Sequence, residues 1–425
     1  MKTIPLTAIA SLACASQLLA AAATRPGYVA HEWGTFTSVQ AADGKQMEWN
    51  PLTVTELPQF VYDVMGSAPQ DRSANLRAFS TKSALRTLQR METPVIYFYA
   101  DTPQTVDVAV KFPQGIVTEW YPQVRALPKP KPNAMVPLRQ ELQWDQVQIL
   151  PNAETFTFPG DTSGSHYYAA RETAANPIRV ANLSGALETE KFLFYRGVGN
   201  FRAPLTVTMS RDGHQLTVRN DGSEPVRHAV LYQLVEGAAA FQQIEALSPG
   251  ETKSFSLSPS AKPESLGSLR DQVRRSLQSG LVQEGLYERE AAAMVKTWDD
   301  SWLHEPGVRV LYTLSRSWTD RTLPLQLSPA AREIARVMVG RAEMITPGME
   351  LSLLHETERY VQGDYATKAE VVRNVRGLGL GRFLEPAMRR LIEHGPKNRE
   401  FSSRSWQLLE AASKTEKNNK PLAFE

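Results

Sequence analysis

Leu205-Thr-Val-Thr-Met209, Asp212-Gly213, Gln215-Leu-Thr-Val-Arg219, Asn220-Asp221-Gly222 and then residues 228–235 form the stretch on which the fold class turns. Apolar and polar residues alternate within each run, so successive side chains point to opposite faces of a sheet. Asp-Gly and Asn-Asp-Gly supply the positive-φ residues that tight hairpin turns need. The stretch predicts a β-meander. Residues 238–247, the turn Ser248-Pro249-Gly250-Glu251 and residues 253–257 add two more strands. Across 27–257, short runs rich in Val, Thr, Tyr and Phe are broken about every eight to twelve residues by Gly, Pro, Asn or Asp. That spacing predicts an antiparallel β-sandwich body, immunoglobulin-like or fibronectin-like in pattern.

Upstream, residues 93–100 and 105–112 read as a hairpin, and Leu127-Pro-Lys-Pro-Lys-Pro132 as an extended loop. A helix is expected over 73–89, where Leu76, Phe79, Leu85 and Leu88 fall near helical spacing. After Pro263 the apolar period changes from two to about 3.6. Leu266, Leu269, Val273 and Leu277 share one stripe, Gly280 breaks it, and Tyr287, Ala291 and Met294 mark a second helix. A strand over 308–314, helices from near Ala330 and a helical end from Pro347-Gly348 complete the expectation. The mixed β and α chain thus divides into residues 1–23, a β-rich region 24–260, an α+β region 261–345 and a helical C-terminal region 346–425 with a polar tail.

A chain of 425 residues exceeds what one core supports, and its 42% apolar and 22% charged content is that of a folded protein. With 47 basic against 45 acidic side chains, no excess positive charge is present to neutralise phosphates, so nucleic acid is not expected as a partner. Met1-Lys2, an Ala- and Leu-rich stretch to Ala20 and then Ala21-Ala22-Ala23 read as a signal peptide cleaved near Ala23. The stretch is short and diluted by Pro5, Ser11, Ser16 and Gln17, which argues against a membrane anchor, and no later segment is apolar enough to span. The expectation is an exported protein, periplasmic or extracellular. Its only cysteine, Cys14, would leave with the signal peptide. The mature chain would then have no disulfide, thiolate nucleophile or cysteine-held metal.

Segments that place titratable groups beside aromatics carry the candidate chemistry: His31-Glu32-Trp33-Gly34-Thr35-Phe36-Thr37, Met91-Glu92-Thr93-Pro94-Val95-Ile96-Tyr97-Phe98-Tyr99, His166-Tyr167-Tyr168-Ala169-Ala170-Arg171-Glu172-Thr173 and Lys191-Phe-Leu-Phe-Tyr195-Arg196-Gly197. Together they resemble a family of exported bacterial proteins that open, just after the signal peptide, with this His-Glu-Trp-Gly-Thr-Phe-Thr motif. The likeness runs through about residue 345. It implies export and common descent, and carries no activity and no residue role. Read physically, Glu92 and Glu172 are the pair a glycan hydrolase or lyase would use, one carboxyl as acid and the other as base or nucleophile. His166 would carry a proton, Arg196 would hold an anionic group, and Trp33, Tyr97, Tyr99 and Tyr167 would provide the sugar-binding surface. The alternative is a non-catalytic binding or assembly protein of the cell envelope, its aromatics serving as contact surface.

No cofactor is required. A divalent metal would draw on His31, Glu32 and His166, with His304 and Glu305 as further donors, but no His-Glu-x-x-His spacing occurs at His31 or at His355. Gly160-Asp-Thr-Ser163-Gly164 lacks the spacing of a nucleophile elbow, and Gly377-Leu-Gly379-Leu-Gly381 reads as a helix–helix connection. Trp298, Trp302 and Trp318 read as packing between regions. When a bacterial host exports the chain, intact-mass measurement is expected to show loss of residues up to about Ala23, and thiol titration to find no cysteine. Recovery of Cys14 in the exported product would reverse the assignment.

Overall fold

The computed structural model describes residues 27–51, 57–63, 85–125, 140–151, 156–161, 164–256 and 265–413. The expected signal segment, most of the expected 73–89 helix, the proline-rich 127–132, Ser163 and the polar tail lie outside the described residues. The strands are β1 (Tyr28–Ala41), β2 (Gln46–Met47), β3 (Tyr62–Asp63), β4 (Gln89–Ala100), β5 (Gln104–Lys111), β6 (Gly115–Tyr121), β7 (Glu141–Ile149), β8 (Ile178–Ala181) and β9 (Leu187–Glu190). They continue as β10 (Leu193–Gly199), β11 (Leu205–Met209), β12 (Gln215–Asn220), β13 (Val226–Val235), β14 (Ala238–Leu247), β15 (Thr252–Ser256), β16 (Gly307–Leu314), β17 (Leu325–Ser328) and β18 (Glu333–Ile345). The helices are α1 (Leu266–Gln283), α2 (Glu288–Asp299), α3 (Arg316–Thr322), α4 (Pro347–Gln362), α5 (Tyr365–Gly377), α6 (Leu384–His394) and α7 (Arg399–Ser413). A mixed fold results, mostly strands in several sheets, with helices concentrated in the C-terminal part.

A 10-stranded sheet runs β14-β13-β16-β18-β1-β4-β10-β6-β3, with β2 on the end of β1. Every pairing in it is antiparallel except that of β1 with β18, which is parallel from Val29 opposite Glu333 to Ala41 opposite Ile345. All 14 residues of β1 are buried, because neighbours flank both its edges and both faces are covered. Side chains alternate. His31 and Trp33 point to one face, where His31 bonds Glu290 of α2 and Trp33 meets Tyr97. Glu32 and Phe36 point to the other, where Phe36 meets Phe112, Phe201 and Trp318. On that second face lies a five-stranded sheet, β17-β5-β7-β8-β9, with Trp144 of β7 against Tyr195 of β10. A three-stranded sheet, β11-β12-β15, joins through Gln40, whose side-chain amide exchanges hydrogen bonds with Leu205 O and Val207 N as a backbone would.

The strand spans across 205–256 follow the expectation, but the pairing does not. β12 turns to β15 instead of β13, and β13–β14 joins the large sheet, because the inward faces of the two hairpins bury against different layers. Likewise β4 and β5 do not form the expected hairpin. β4 pairs with β1 and β10 while β5 pairs with β7 and β17. Gln89 begins a strand where the end of a helix was expected. Within the expected β-rich region 24–260, His166–Arg171 is a 3₁₀ helix, capped by Ser165. The helical pair 266–299 holds, but its break falls at Gly285, whose φ of 110° only glycine adopts easily, while Gly280 lies within α1 against His228. The largest correction is β18, where helices were expected from near Ala330. Its Ala, Met and charged residues suit a helix by propensity, yet the slot beside β1 needs a long strand, and tertiary pairing prevails. No helix among the described residues is long and apolar enough to cross a membrane.

Glu32 shows what holds this arrangement. Its carboxylate accepts from Arg336 Nε and Tyr195 Oη, each at 2.5 Å, so β1, β18 and β10 are tied at one buried point. Arg336 also reaches Asp320 Oδ1 and Leu323 O. Burial opposes its charge, but Glu32 and Tyr195 outweigh it and keep the guanidinium firmly protonated. Removing one partner of such a pair strands the other, at a cost of about 3–5 kcal/mol. Glu32→Ala is expected to lower the urea midpoint accordingly, and adding Arg336→Met to recover much of the loss. Equal stability of Glu32→Ala and wild type would contradict this account.

Candidate functional site

A cavity of about 450 Å³ opens on the Trp33 face of the large sheet, between the sheet, the 166–171 helix, the end of α2 and the connection between α5 and α6. Strand register sets a row of side chains here, of which Arg90 and Glu92 line the cavity. Thr37 of β1 stands opposite Arg341 of β18 on one side and Arg90 of β4 on the other, and Thr35 stands opposite Glu92. Irregularities in β1–β4 pairing between Trp33 and Thr35, and in β10 pairing beside Arg196, bend the strands here, as bulges beside functional sites often do. Gly34 permits the approach of β4, since a Cβ there would sit 2.9 Å from Pro94 Cα. Thr93, on the cavity wall, has a φ of 48°. A β-branched residue before proline avoids that region, so its neighbours hold strain there of about 1–3 kcal/mol.

Guanidiniums and carboxylates interleave in and around the cavity. Arg382, from the α5–α6 connection, donates Nη1 to Glu92 Oε1 at 2.7 Å; Arg90 Nε lies 3.4 Å from the same oxygen. Arg196 Nε donates to Glu119 Oε2 at 2.7 Å. Arg341 donates to Glu343 Oε2 at 2.8 Å and to Glu305 Oε2 at 2.9 Å. Burial works against ionisation of Glu92, yet Arg382, Arg90 and Arg341 outweigh it and bring its carboxyl from 4.5 down to about 2. Arg90 goes the other way. Burial and repulsion from Arg382 and Arg196 exceed the attraction of Glu92, and its pKa falls to about 10. After all contacts are made, Arg90 Nε, Arg196 Nη2, Arg341 Nη1 and Arg382 Nε and Nη2 are buried with no hydrogen-bond partner among the described residues. So are the hydroxyls of Thr35 and Thr37. Opposite stand Trp298, its ring stacked on His166 at 6.2 Å, and Asp300, Ser301 and Glu305.

Of the residues singled out in the sequence, Glu92, His166, Tyr167 and Arg196 line this cavity. Glu172 does not. It is exposed on the surface in an ion pair with Lys296 at 2.7 Å, so the two carboxylates expected to share a substrate are not brought together. Trp33 and Tyr97 are wholly buried in the core, Tyr97 donating to Ala170 O, and Tyr99 donates to Glu290 Oε1. Their role is packing, because the face they share is covered by α2 and the 166–171 helix. Tyr167 reaches the cavity wall, but its hydroxyl is engaged by Glu190. His31 and Glu32 point to opposite faces and hold Glu290 and Arg336, so they cannot join His166 around one metal ion. Among the described residues, Asp299, Asp300 and His304 are close enough to share an ion. However, Arg274 already holds both oxygens of Asp299, at 2.6 and 2.8 Å, where a cation would compete.

Arg90, Thr35, Thr37, Arg341 and Arg382 escaped the sequence reading. Arg90 was within reach, standing two positions before Glu92 and therefore on the same strand face. Arg382, in a Gly-rich connection, carried no signal.

No family model matches the chain, and no curated protein matches it. Among solved structures it is similar to the yeast delta-COP-I mu-homology domain complexed with a Dsl1 WxWxV peptide, at TM-score 0.26 and 7% identity over 75% of this chain and 96% of that one. The same yeast domain by itself gives TM-score 0.25 and 8% identity, again over 75% and 96% of the two chains. Scores this low carry neither fold nor function across.

The lowered Glu92 pKa stabilises the folded state above pH 4.5, and that contribution, about 3 kcal/mol, is lost as pH falls from 4.5 toward 2. Chemical denaturation at steps from pH 5 to pH 2.5 is expected to show wild type losing stability more steeply than Glu92→Gln. Identical slopes would mean that Glu92 is not held ionised.

Proposed function

We propose that the chain is an exported, non-catalytic binding protein whose cavity recognises an anionic ligand. The observation that carries this reading is the set of buried guanidinium N–H groups of Arg196 and Arg382, both lining the cavity, with no hydrogen-bond partner among the described residues, beside Arg90 in its ion pair with Glu92. An unmet charged donor in a buried site is costly, and a bound anion is the group that satisfies several at once. The mutual repulsion of Arg90, Arg196 and Arg382 points the same way. So does the strain at Thr93, a feature that clusters at ligand sites. Export is supported by the N-terminal Met1 to Ala23 pattern, and a sandwich-like reading of the body by the division of 205–256 between two sheets.

The binding reading is preferred to the hydrolase because Glu92 stays ionised at neutral pH and cannot act as an acid, while Glu172 is engaged elsewhere. An enzyme acting on an acidic glycan would retain His166, which lines the cavity, as its proton carrier. Calorimetric titration with inorganic phosphate, citrate and glucuronate tests the proposal. At least one is expected to bind with affinity that falls as salt rises, and Arg196→Gln, shown folded by circular dichroism, is expected to weaken it about tenfold or more, the loss of one charge-assisted hydrogen bond. No binding by any of the three at millimolar concentration would refute anion recognition.

A further inference from the structure

We infer that the anionic ligand is a phosphate monoester of a hydroxylated ring, a sugar phosphate in chemical class. This rests on the anion reading above and specifies the group that the cavity takes. The donors come from separate places in the fold, Arg90 from β4, Arg196 from β10 and Arg382 from the α5–α6 connection. One guanidinium fork saturates the two oxygens of a planar carboxylate. Donors brought to one cavity by three separate elements suit a tetrahedral group with three terminal oxygens and up to two charges. Arg196 is 5% exposed and Arg90 beside it 9%, so the unmet Nη2 of Arg196 belongs to a built site and not to a solvated surface patch.

Glu92 separates phosphate from sulfate. It lines the cavity among the arginines and, ionised, can only accept hydrogen bonds. A sulfate ester also offers only acceptors, so any oxygen it turned to Glu92 would be repelled. A phosphate monoester, with its second pKa near 6, retains a proton on part of the population at pH 7 and can donate it to Glu92. The guanidiniums compensate the remaining charge.

The rest of the cavity asks for more than a bare oxyanion. Its volume of about 450 Å³ lies in the range of small-molecule sites, and a lone phosphate would fill only the arginine end. Beyond that end stand the face formed by Trp298 and His166, and the acceptors Asp300 and Glu305. An aromatic face beside carboxylates matches a ring with hydroxyl donors on its edge and C–H groups on its face.

The test is calorimetric titration of the mature chain at pH 7 with glucose 6-phosphate, glucose 6-sulfate, inorganic phosphate and glucuronate. Glucose 6-phosphate is expected to bind at least tenfold tighter than each of the others. Asp300→Ala, an exposed position, is expected to weaken glucose 6-phosphate several-fold while leaving inorganic phosphate unchanged, and Glu92→Gln to narrow the gap between phosphate and sulfate esters. If Glu92→Gln does not fold, the wild-type preference still decides. Equal binding of the two esters, or tighter binding of glucuronate, overturns the phosphate assignment while anion recognition stands. Inorganic phosphate binding as tightly as its ester overturns the ring. Absence of binding by all four removes both readings.

Discussion

Every polar side chain on β1 must find a partner inside the protein, because all 14 residues of that strand are buried. This constraint shapes the architecture around it. His31 draws in Glu290 and with it α2, Glu32 ties Arg336 and Tyr195 from two other strands, and Gln40 continues the hydrogen-bond ladder into β11. Each attachment brings a different layer onto the strand. Their spacing follows from side-chain alternation, with His31 serving one face and its neighbour Glu32 the other.

Near the C-terminal end of β1 the constraint is met only in part. Thr35 and Thr37 lie among Arg90, Glu92 and Arg341 on a sheet face that an ordinary core would make apolar. Four guanidiniums share the carboxylates of Glu92, Glu119, Glu305 and Glu343, and several of their N–H groups still lack a hydrogen-bond partner among the described residues. A network left partly unmet weakens a purely structural core, since buried polar groups cost free energy unless every member is paired. The unmet N–H groups, the positive φ of Thr93 and the strand irregularities fall together beside the cavity.

The C-terminal helices contribute to the site as well as to stability. Arg382 reaches Glu92 from the connection after α5, and Phe383 beside it packs on Trp49 and under the guanidinium of Arg341. Sheet and helical region therefore share the cavity wall.

Strand positions from 205 to 256, the helical pair after Pro263 and the helical end after Pro347 were legible in the sequence, because alternation, turn residues and the 3.6 period are local properties. Glu92, His166, Tyr167 and Arg196 were legible as residues of chemical interest because a charge or an imidazole among aromatics stands out in a linear reading. Which of them meet was not legible. Glu172 left the group because the 3₁₀ turn before it points it toward Lys296, and Arg382 joined because a loop hundreds of residues away in sequence folds over β4. β18 shows the same division. Its composition reads as helix, but the edge of β1 offers hydrogen bonds along its whole length, and only a partner brought from the far end of the chain fills them. Local sequence determined most of the elements and the types of chemistry available. Long-range pairing, which no local window contains, decided the sheet order and the cavity.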